Sequence, residues 1–363
     1  MRIALAAVPA YGHVYPLMPL ALACRDYGHD VEVACGPPFA GRLPVPTVEG
    51  FPDELTLSDA EKYVAGVDLD PGDPFAAPRW MFGEYIGSRT RAALREIWAR
   101  RKPDLVVYEM TNIGAGAAAQ DLGIQAIPFA ISRWEGFPAQ LFADAKISPE
   151  VMIDPLPPTW RGVTSAGSPS RLNTRTVAWS EPNGASPWSH SSGTRPRAYL
   201  TMGTVSFGAV DALRQAVHET SAAGFDVLVA VGPGGDTRAL DPVPASVRVL
   251  KFVDQPNVLA GADVVVHHGG TGTVLGALAA AIPQVVIPQA ADQFANAARI
   301  DELGIGRSVP AKSPSGAIAA AVADVLADTH AIRRLEEIAT EIANTHGPES
   351  TCHELERLVD RSE

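Results

Sequence analysis

Lysine and cysteine are scarce in this chain of 363 residues, and a net positive charge is missing altogether. Five lysines stand against 24 arginines, the bias a GC-rich genome leaves on its proteins, with no bearing on mechanism. Lys and Arg together number 29 against 41 Asp and Glu, a net charge of −12. A chain this acidic lacks the electrostatic footprint of a nucleic-acid binder. Cysteine occurs only as Cys24, Cys35 and Cys352, an odd count with no Cys-x-x-Cys spacing. That argues against a disulfide scaffold or a zinc ribbon and fits a reducing, cytoplasmic compartment. Charged residues make up 19% and hydrophobic ones 46%, which excludes intrinsic disorder. From Val264 to Ala291 there is no formal charge if both histidines are neutral, a stretch long enough to span a bilayer. HHGGTGT, Pro283, Pro288 and Gln289 interrupt it, so it reads as strand, loop, helix and strand rather than as an integral membrane segment. The apolar start, IALAAVPA, stops at Tyr11-Gly12-His13 and reads as a buried first strand, not a signal peptide.

The length suggests two domains, at roughly 150 residues each. Residues 2–8 are continuously apolar, as in a strand covered on both faces. A loop, AYGHVYP, leads to a helix over 17–27 ended by Gly28, then a strand over 30–34. This βαβ opening implies a parallel sheet. A helix over 88–101, a strand over 105–108, a helix over 113–122 and a strand over 125–129 continue it. Residues 141–197 carry no periodicity, and SEPNGASPWSHSSGTRP near their end has linker composition. The second half repeats the plan, with strands at 198–202, 226–231, 247–252, 264–267 and 284–287. Helices fall at 211–222, 273–281, 315–327, 331–344 and 350–360. The predicted boundaries are a first domain over 1–190 ending in a linker at about 180–197, a second over 198–345, and a closing helix over 346–363. In the closing helix Leu355, Leu358 and Val359 share one face. Two doubly wound domains facing each other would leave a cleft at the carboxyl ends of their strands, where ligands bind.

The strongest chemical signal is VVVHHGGTGTVLGALAA, residues 264–280. A strand runs into a glycine-rich turn and a helix starts at once. Gly269, Gly270 and Gly272 permit close ligand approach, and the helix start offers free N–H groups and the positive end of the dipole. This is an anion site, most naturally for a diphosphate, with His268 as a further donor. Gly270-x-Gly272-x-x-x-Gly276 with Asp292 about 20 residues on also has the shape of a dinucleotide fingerprint, which keeps an NADP-dependent oxidoreductase as a rival reading. Asp292 and Gln293 follow the next strand, where an Asp–Gln pair can hold vicinal hydroxyls of a sugar; as a bland reading, Asp292 is a helix N-cap. Asp68-Leu69-Asp70 is a metal-type DxD spacing, but in VDLDPGDP it reads as a solvated loop.

HHGGTGT followed by GALAAAIPQVVIPQAADQFANAARIDELGIG resembles the nucleotide-sugar signature of family 1 glycosyltransferases, in particular bacterial members acting on antibiotics and other natural products. YGHVYPLMPLALACRDYGHDVEVACG resembles their N-terminal segment, and YLTMGTVSF their first C-domain strand and loop. The resemblance implies an α/β fold of GT-B architecture, two Rossmann-like domains facing a central cleft, the first binding acceptor and the second the nucleotide sugar. It implies His13 as catalytic base and Glu109, where many members have aspartate, as its partner. It puts Thr204, His268, Gly270, Gly272 and Thr273 on the donor diphosphate. Phe252, where the family has tryptophan, and Val253 fall at the nucleoside, and Asp292 and Gln293 at the donor sugar. Phe75, Trp80, Phe82, Trp134 and Phe137, on apparent loops, would line a hydrophobic acceptor site. The expected reaction is inverting transfer of a deoxysugar from a TDP- or UDP-sugar to a hydroxyl of a polyketide-like aglycone, with an aromatic carbon as a second target. No metal and no cofactor is expected. Histidine ionises near pH 6.5 and suits general base work, while a helix N-terminus can receive the leaving diphosphate. A non-catalytic nucleotide-sugar-binding auxiliary protein is the other alternative, and a homodimer is left open.

Overall fold

The computed structural model describes residues 1–51, 64, 66–70, 72–133, 136–162, 167–180, 188, 191, 193–203 and 210–360. They divide into two compact units, residues 1–175 with 345–363, and residues 176–344. Trp188 is buried in the core of the second unit, so the chain ahead of residue 190 already belongs there.

In the first unit the strands are β1 (Arg2–Ala6), β2 (Asp30–Cys35), β3 (Thr47–Glu49), β4 (Leu105–Glu109), β5 (Gln125–Phe129), β6 (Val151–Asp154) and β7 (Ser170–Asn173). They form one parallel sheet in the order β3-β2-β1-β4-β5-β6-β7. Ile3, Leu5, Val106 and Val107 are all buried, because helices cover both faces of a parallel sheet and leave no solvent side to favour alternation. Connections run outward to one edge from β1 and to the other from β4. The crevice between the carboxyl ends of β1 and β4 is therefore the topological switch point, the natural ligand position in a doubly wound sheet.

The second unit repeats the arrangement with β8 (Arg197–Thr201), β9 (Asp226–Ala230), β10 (Val247–Leu250), β11 (Val264–His267), β12 (Gln284–Val286) and β13 (Gly306–Ser308). Their order is β10-β9-β8-β11-β12-β13, all parallel. Its switch point lies between β8 and β11. Leu200, Val229, Val264, Val266 and Val285 fill the core with Ile318, Val322 and Val325 from the helix Ala317–Ala327. The uncharged stretch at 264–291 is β11, the helix Thr271–Ala279 and β12. Among the described residues no helix is long and apolar enough to cross a membrane.

Two expectations need correction. The aperiodic region 141–197 contains β6 and β7 and two short helices, Phe137–Asp144 reaching into it and Pro158–Arg161. β7, Ser-Arg-Leu-Asn, is a polar edge strand with little pattern to read. Of the aromatic residues placed on loops, Trp80, Phe82 and Phe137 instead sit on helical backbone, while Phe75 stays in the turn ahead of it. Ala76–Arg79 is α-helical, Trp80–Gly87 is π-helical, and Ser88–Arg100 continues as an α-helix. Aromatics and two glycines give that stretch weak helix propensity, and no capping residue announces its start. The closing helix, Pro348–Asp360, packs within the first unit. Thr351, Cys352 and Leu355 carry its buried face, and Thr351 Oγ1 donates to Thr174 Oγ1 at 2.8 Å. All three cysteines are free and buried.

Candidate active site

His13 and Glu109 meet at the first switch point. β1 ends at Ala6, and Tyr11–Val14 forms one helical turn that carries His13. Tyr11 and Tyr15 hold that turn with ring contacts to buried Phe39, at 4.9 and 6.0 Å between centroids. Glu109 is the last residue of β4 and is fully buried. Its Oε1 lies 3.0 Å from His13 Nδ1. An ionised carboxylate only accepts hydrogen bonds, so Nδ1 carries the proton and Nε2 is the basic nitrogen. Val8 N–H donates to Oε1 at 3.3 Å. Thr111 N–H donates to Oε2 at 2.7 Å, and the Thr111 hydroxyl lies 2.7 Å from Oε2, 3.0 Å from Oε1 and 3.2 Å from His13 Nδ1. Paired and multiply hydrogen-bonded, the buried charge is compensated.

Phe82, on the π-helical turn, stacks on the His13 ring at 6.0 Å and 25°. A π-helical turn shifts side-chain register against its flanking α-helices, a device frequent at functional sites. Phe137 lies 5.8 Å from Phe82, and the Phe75 ring packs against Gly136. Phe82 and Phe137 thus lie beside the His–Glu pair, with Phe75 next to the residue that precedes Phe137. Trp80 instead stacks on Tyr85 at 5.5 Å. Trp134 lies outside the described residues.

The second switch point brings together most of the described residues predicted for the anion site. Thr201 of β8 pairs with His267 of β11, which brings Met202-Gly203 beside His268-Gly269-Gly270. The helix Thr271–Ala279 starts from Gly270, with no side chain capping it. Thr273 and Val274 N–H bond back to Gly270, while Thr271 and Gly272 open the helix with N–H groups that have no intrahelical acceptor. The Thr273 hydroxyl accepts from Gln255 at 3.1 Å, tying this loop to the segment that carries Phe252 and Val253. Val253 is buried in the core, and Phe252 is half-buried. Thr204 lies outside the described residues.

Asp292 occupies the N-cap position of the helix Gln293–Leu303, yet its side chain makes no cap bond. Its Oδ2 accepts from Thr271 Oγ1 at 2.8 Å and from Asn296 at 3.2 Å. The carboxylate is thereby turned toward the glycine loop and stays exposed. Gln293 is buried, and its side-chain Oε1 accepts from Gln289 and Ala290 N–H at 2.8 and 3.1 Å. That oxygen braces the turn after β12. Asn296, which sequence reasoning missed, is buried and donates to the Gly269 carbonyl at 2.8 Å and to Thr271 Oγ1 at 3.0 Å. Of the DxD pair, Asp68 and Asp70 are exposed, and Asp70 accepts from Gly72 N–H to close a turn.

The two consecutive histidines have different tasks. His267 is fully buried. Its Nδ1 accepts from Gly269 N–H at 3.1 Å, and its Nε2–H donates to Gln284 at 3.0 Å. Burial, reinforced by neighbouring His268, pushes its pKa down to about 3. His268 is also held below the ordinary imidazole value by burial, against the pull of the Asp292 carboxylate. The unfolded chain takes up a proton at His267 near pH 6.5, and the folded one resists it down to about 3. Its contribution to stability is complete above pH 6.5 and is lost as pH falls through that window, by up to about 1.4 kcal/mol per pH unit. Urea unfolding at about pH 7 and pH 5 is expected to show a steeper acid loss for the wild type than for His267→Asn. Equal slopes would mean that His267 does not stay neutral in the fold.

A family model described as erythromycin biosynthesis protein CIII-like, C-terminal domain, matches residues 217–358. Elloramycin glycosyltransferase ElmGT of Streptomyces olivaceus is 31% identical over 84% of this chain and 85% of its own length. L-demethylnoviosyl transferase of Streptomyces niveus is 29% identical over 85% of each. Among solved structures, glycosyltransferase SsfS6 of Streptomyces sp. SF2575, complexed with thymidine diphosphate, superimposes with TM-score 0.81. It is 26% identical over 98% of this chain and 99% of that one. These relationships remove the ground for reading the glycine run as a dinucleotide site in an oxidoreductase. The chain belongs to the bacterial natural-product branch of the family 1 glycosyltransferases and is an enzyme of GT-B fold.

Proposed function

We propose that the enzyme transfers a deoxysugar from a thymidine diphosphate sugar to a hydroxyl of a polyketide-type aglycone, with inversion and without a metal. UDP-sugars are the second donor class. The observation that carries this reading is the buried Glu109 carboxylate 3.0 Å from Nδ1 of a largely buried but still accessible His13, whose side chain is 18% exposed and whose ring is stacked by Phe82. Glu109 fixes the imidazole tautomer and stabilises the imidazolium formed on proton uptake, as the acid of a catalytic triad does. Nε2 takes the acceptor's proton while its oxygen attacks the anomeric carbon. The bond from that carbon to the diphosphate breaks, and its electron pair leaves on phosphate. Attack opposite the leaving group inverts the centre.

The helix N-terminus at Thr271-Gly272 and the donor groups of His268 and Thr273 supply the field that stabilises the leaving diphosphate. Asp292, oriented by Thr271 and Asn296, accepts from sugar hydroxyls. Phe75, Phe82 and Phe137 offer ring faces to a flat apolar acceptor. The thymidine choice draws on the ligand of SsfS6 and on the name of a second relative. TDP-daunosamine transferase DnrS of Streptomyces peucetius is 26% identical over 99% of this chain and 97% of its own length.

Calorimetry with TDP, UDP and NADP⁺ tests the donor side. Tight TDP binding that His268→Ala abolishes is expected, and NADP⁺ binding without TDP binding would sink the reading. Transfer should persist in EDTA; loss of turnover restored by added Mg²⁺ would overturn the metal-free mechanism. TDP binding without transfer to any aglycone offered would favour the non-catalytic alternative.

A further inference from the structure

We infer that Thr111 is the positioning residue that lets a glutamate serve as the partner of His13. The inference rests on His13 being the base. Glu109 is one methylene longer than aspartate and so has one more rotatable bond to fix. A buried carboxylate that swings on this bond no longer presents one oxygen to Nδ1. Thr111, two residues on in the turn after β4, closes on both oxygens. Its N–H takes Oε2 at 2.7 Å, and its hydroxyl lies 2.7 Å from Oε2 and 3.0 Å from Oε1. This clamp leaves Oε1 at 3.0 Å from the imidazole, with the Thr111 oxygen itself 3.2 Å from Nδ1. Thr111 is buried, so water cannot readily replace its hydroxyl. Val8 N–H, at 3.3 Å, is too weak a restraint to fix the carboxylate alone. A threonine two residues after a strand-ending acid is a local pattern, and its purpose emerges only when His13 arrives from 98 positions away.

Thr111 touches neither reacting atom in this account; it acts through Glu109. The test compares Thr111→Val with Thr111→Ser. A misplacement of about 1 Å in a catalytic group costs up to about 10²-fold in rate. Thr111→Val is expected to lose about 10- to 100-fold in kcat, with unchanged TDP affinity, and Thr111→Ser to recover most of it. The loss should shrink with acidic phenols such as 4-nitrophenol as acceptor from TDP-glucose, since these need less help from a base. A readout independent of turnover is the downfield proton resonance of an imidazole N–H bonded to a buried carboxylate. It should vanish in His13→Gln, which assigns it, persist in Thr111→Ser, and broaden or vanish in Thr111→Val. Thr111→Val with wild-type rate and resonance would overturn the inference. So would a rate loss with the resonance intact and no rescue by serine, which marks a packing role. Full activity of His13→Ala would bring down the base assignment itself, a result the Thr111 variants cannot mimic.

Discussion

His13→Ala is expected to lower kcat by about 10²- to 10⁴-fold, the range general base catalysis contributes, with TDP affinity unchanged. The split follows from placement. His13 lies at the switch point of the first unit, whereas the residues assigned to the diphosphate lie at that of the second. The variant should also fold. Glu109 would lose one partner but keep Val8 N–H, Thr111 N–H and the Thr111 hydroxyl, so its charge is not orphaned. The stability cost should stay near 1–2 kcal/mol. Glu109→Gln is a harsher probe of the same pair. It turns one oxygen into an NH₂ group that must face Thr111 N–H, Val8 N–H or the imidazole N–H, all donors. It should lose rate comparably and stability as well. Steady-state kinetics with TDP calorimetry and urea unfolding separate these effects. Near wild-type turnover by His13→Ala would end the base assignment.

What could be read in advance was what repeats along the chain. β1, β4, β8 and β11 are short apolar runs followed by turn residues, and the glycines after β11 announce a helix start. The adjacent histidines part company at the strand end: His267 closes β11 and is fully buried, while the His268 ring lies against Gly203 and Gly270. Elements that escaped notice are those stabilised by neighbours rather than by their own pattern. β3 and β13 have three residues each, and β7 is polar. The π-helical turn at Trp80–Gly87 has no sequence signature, and it displaces Phe82 from a loop to the stack on His13. Asn296 escaped for a similar reason. Its partner, the Gly269 carbonyl, is 27 residues away, and only the folded sheet brings the two together.

Two glycine substitutions should lower TDP affinity by about tenfold or more while moving stability in opposite directions. Gly272 is the second residue of the helix Thr271–Ala279 and is exposed, and a Cβ there meets nothing within 4 Å. Gly272→Ala narrows the unfolded ensemble without strain and should stabilise the protein by about 0.4–1 kcal/mol. The same methyl intrudes where an anion approaches the helix N–H groups, so binding suffers. Gly203 has φ +83°, and a Cβ there would lie 2.7 Å from His268 Nε2. Gly203→Ala combines backbone strain with displacement of the imidazole, and should cost about 1–3 kcal/mol along with the affinity. Folding damage alone cannot explain a loss of binding in a protein that has become more stable. The informative result is therefore a raised melting temperature with weakened TDP binding in Gly272→Ala. If that variant binds TDP like the wild type, the diphosphate does not rest on this helix terminus, and the roles proposed for His268 and Thr273 fall with it.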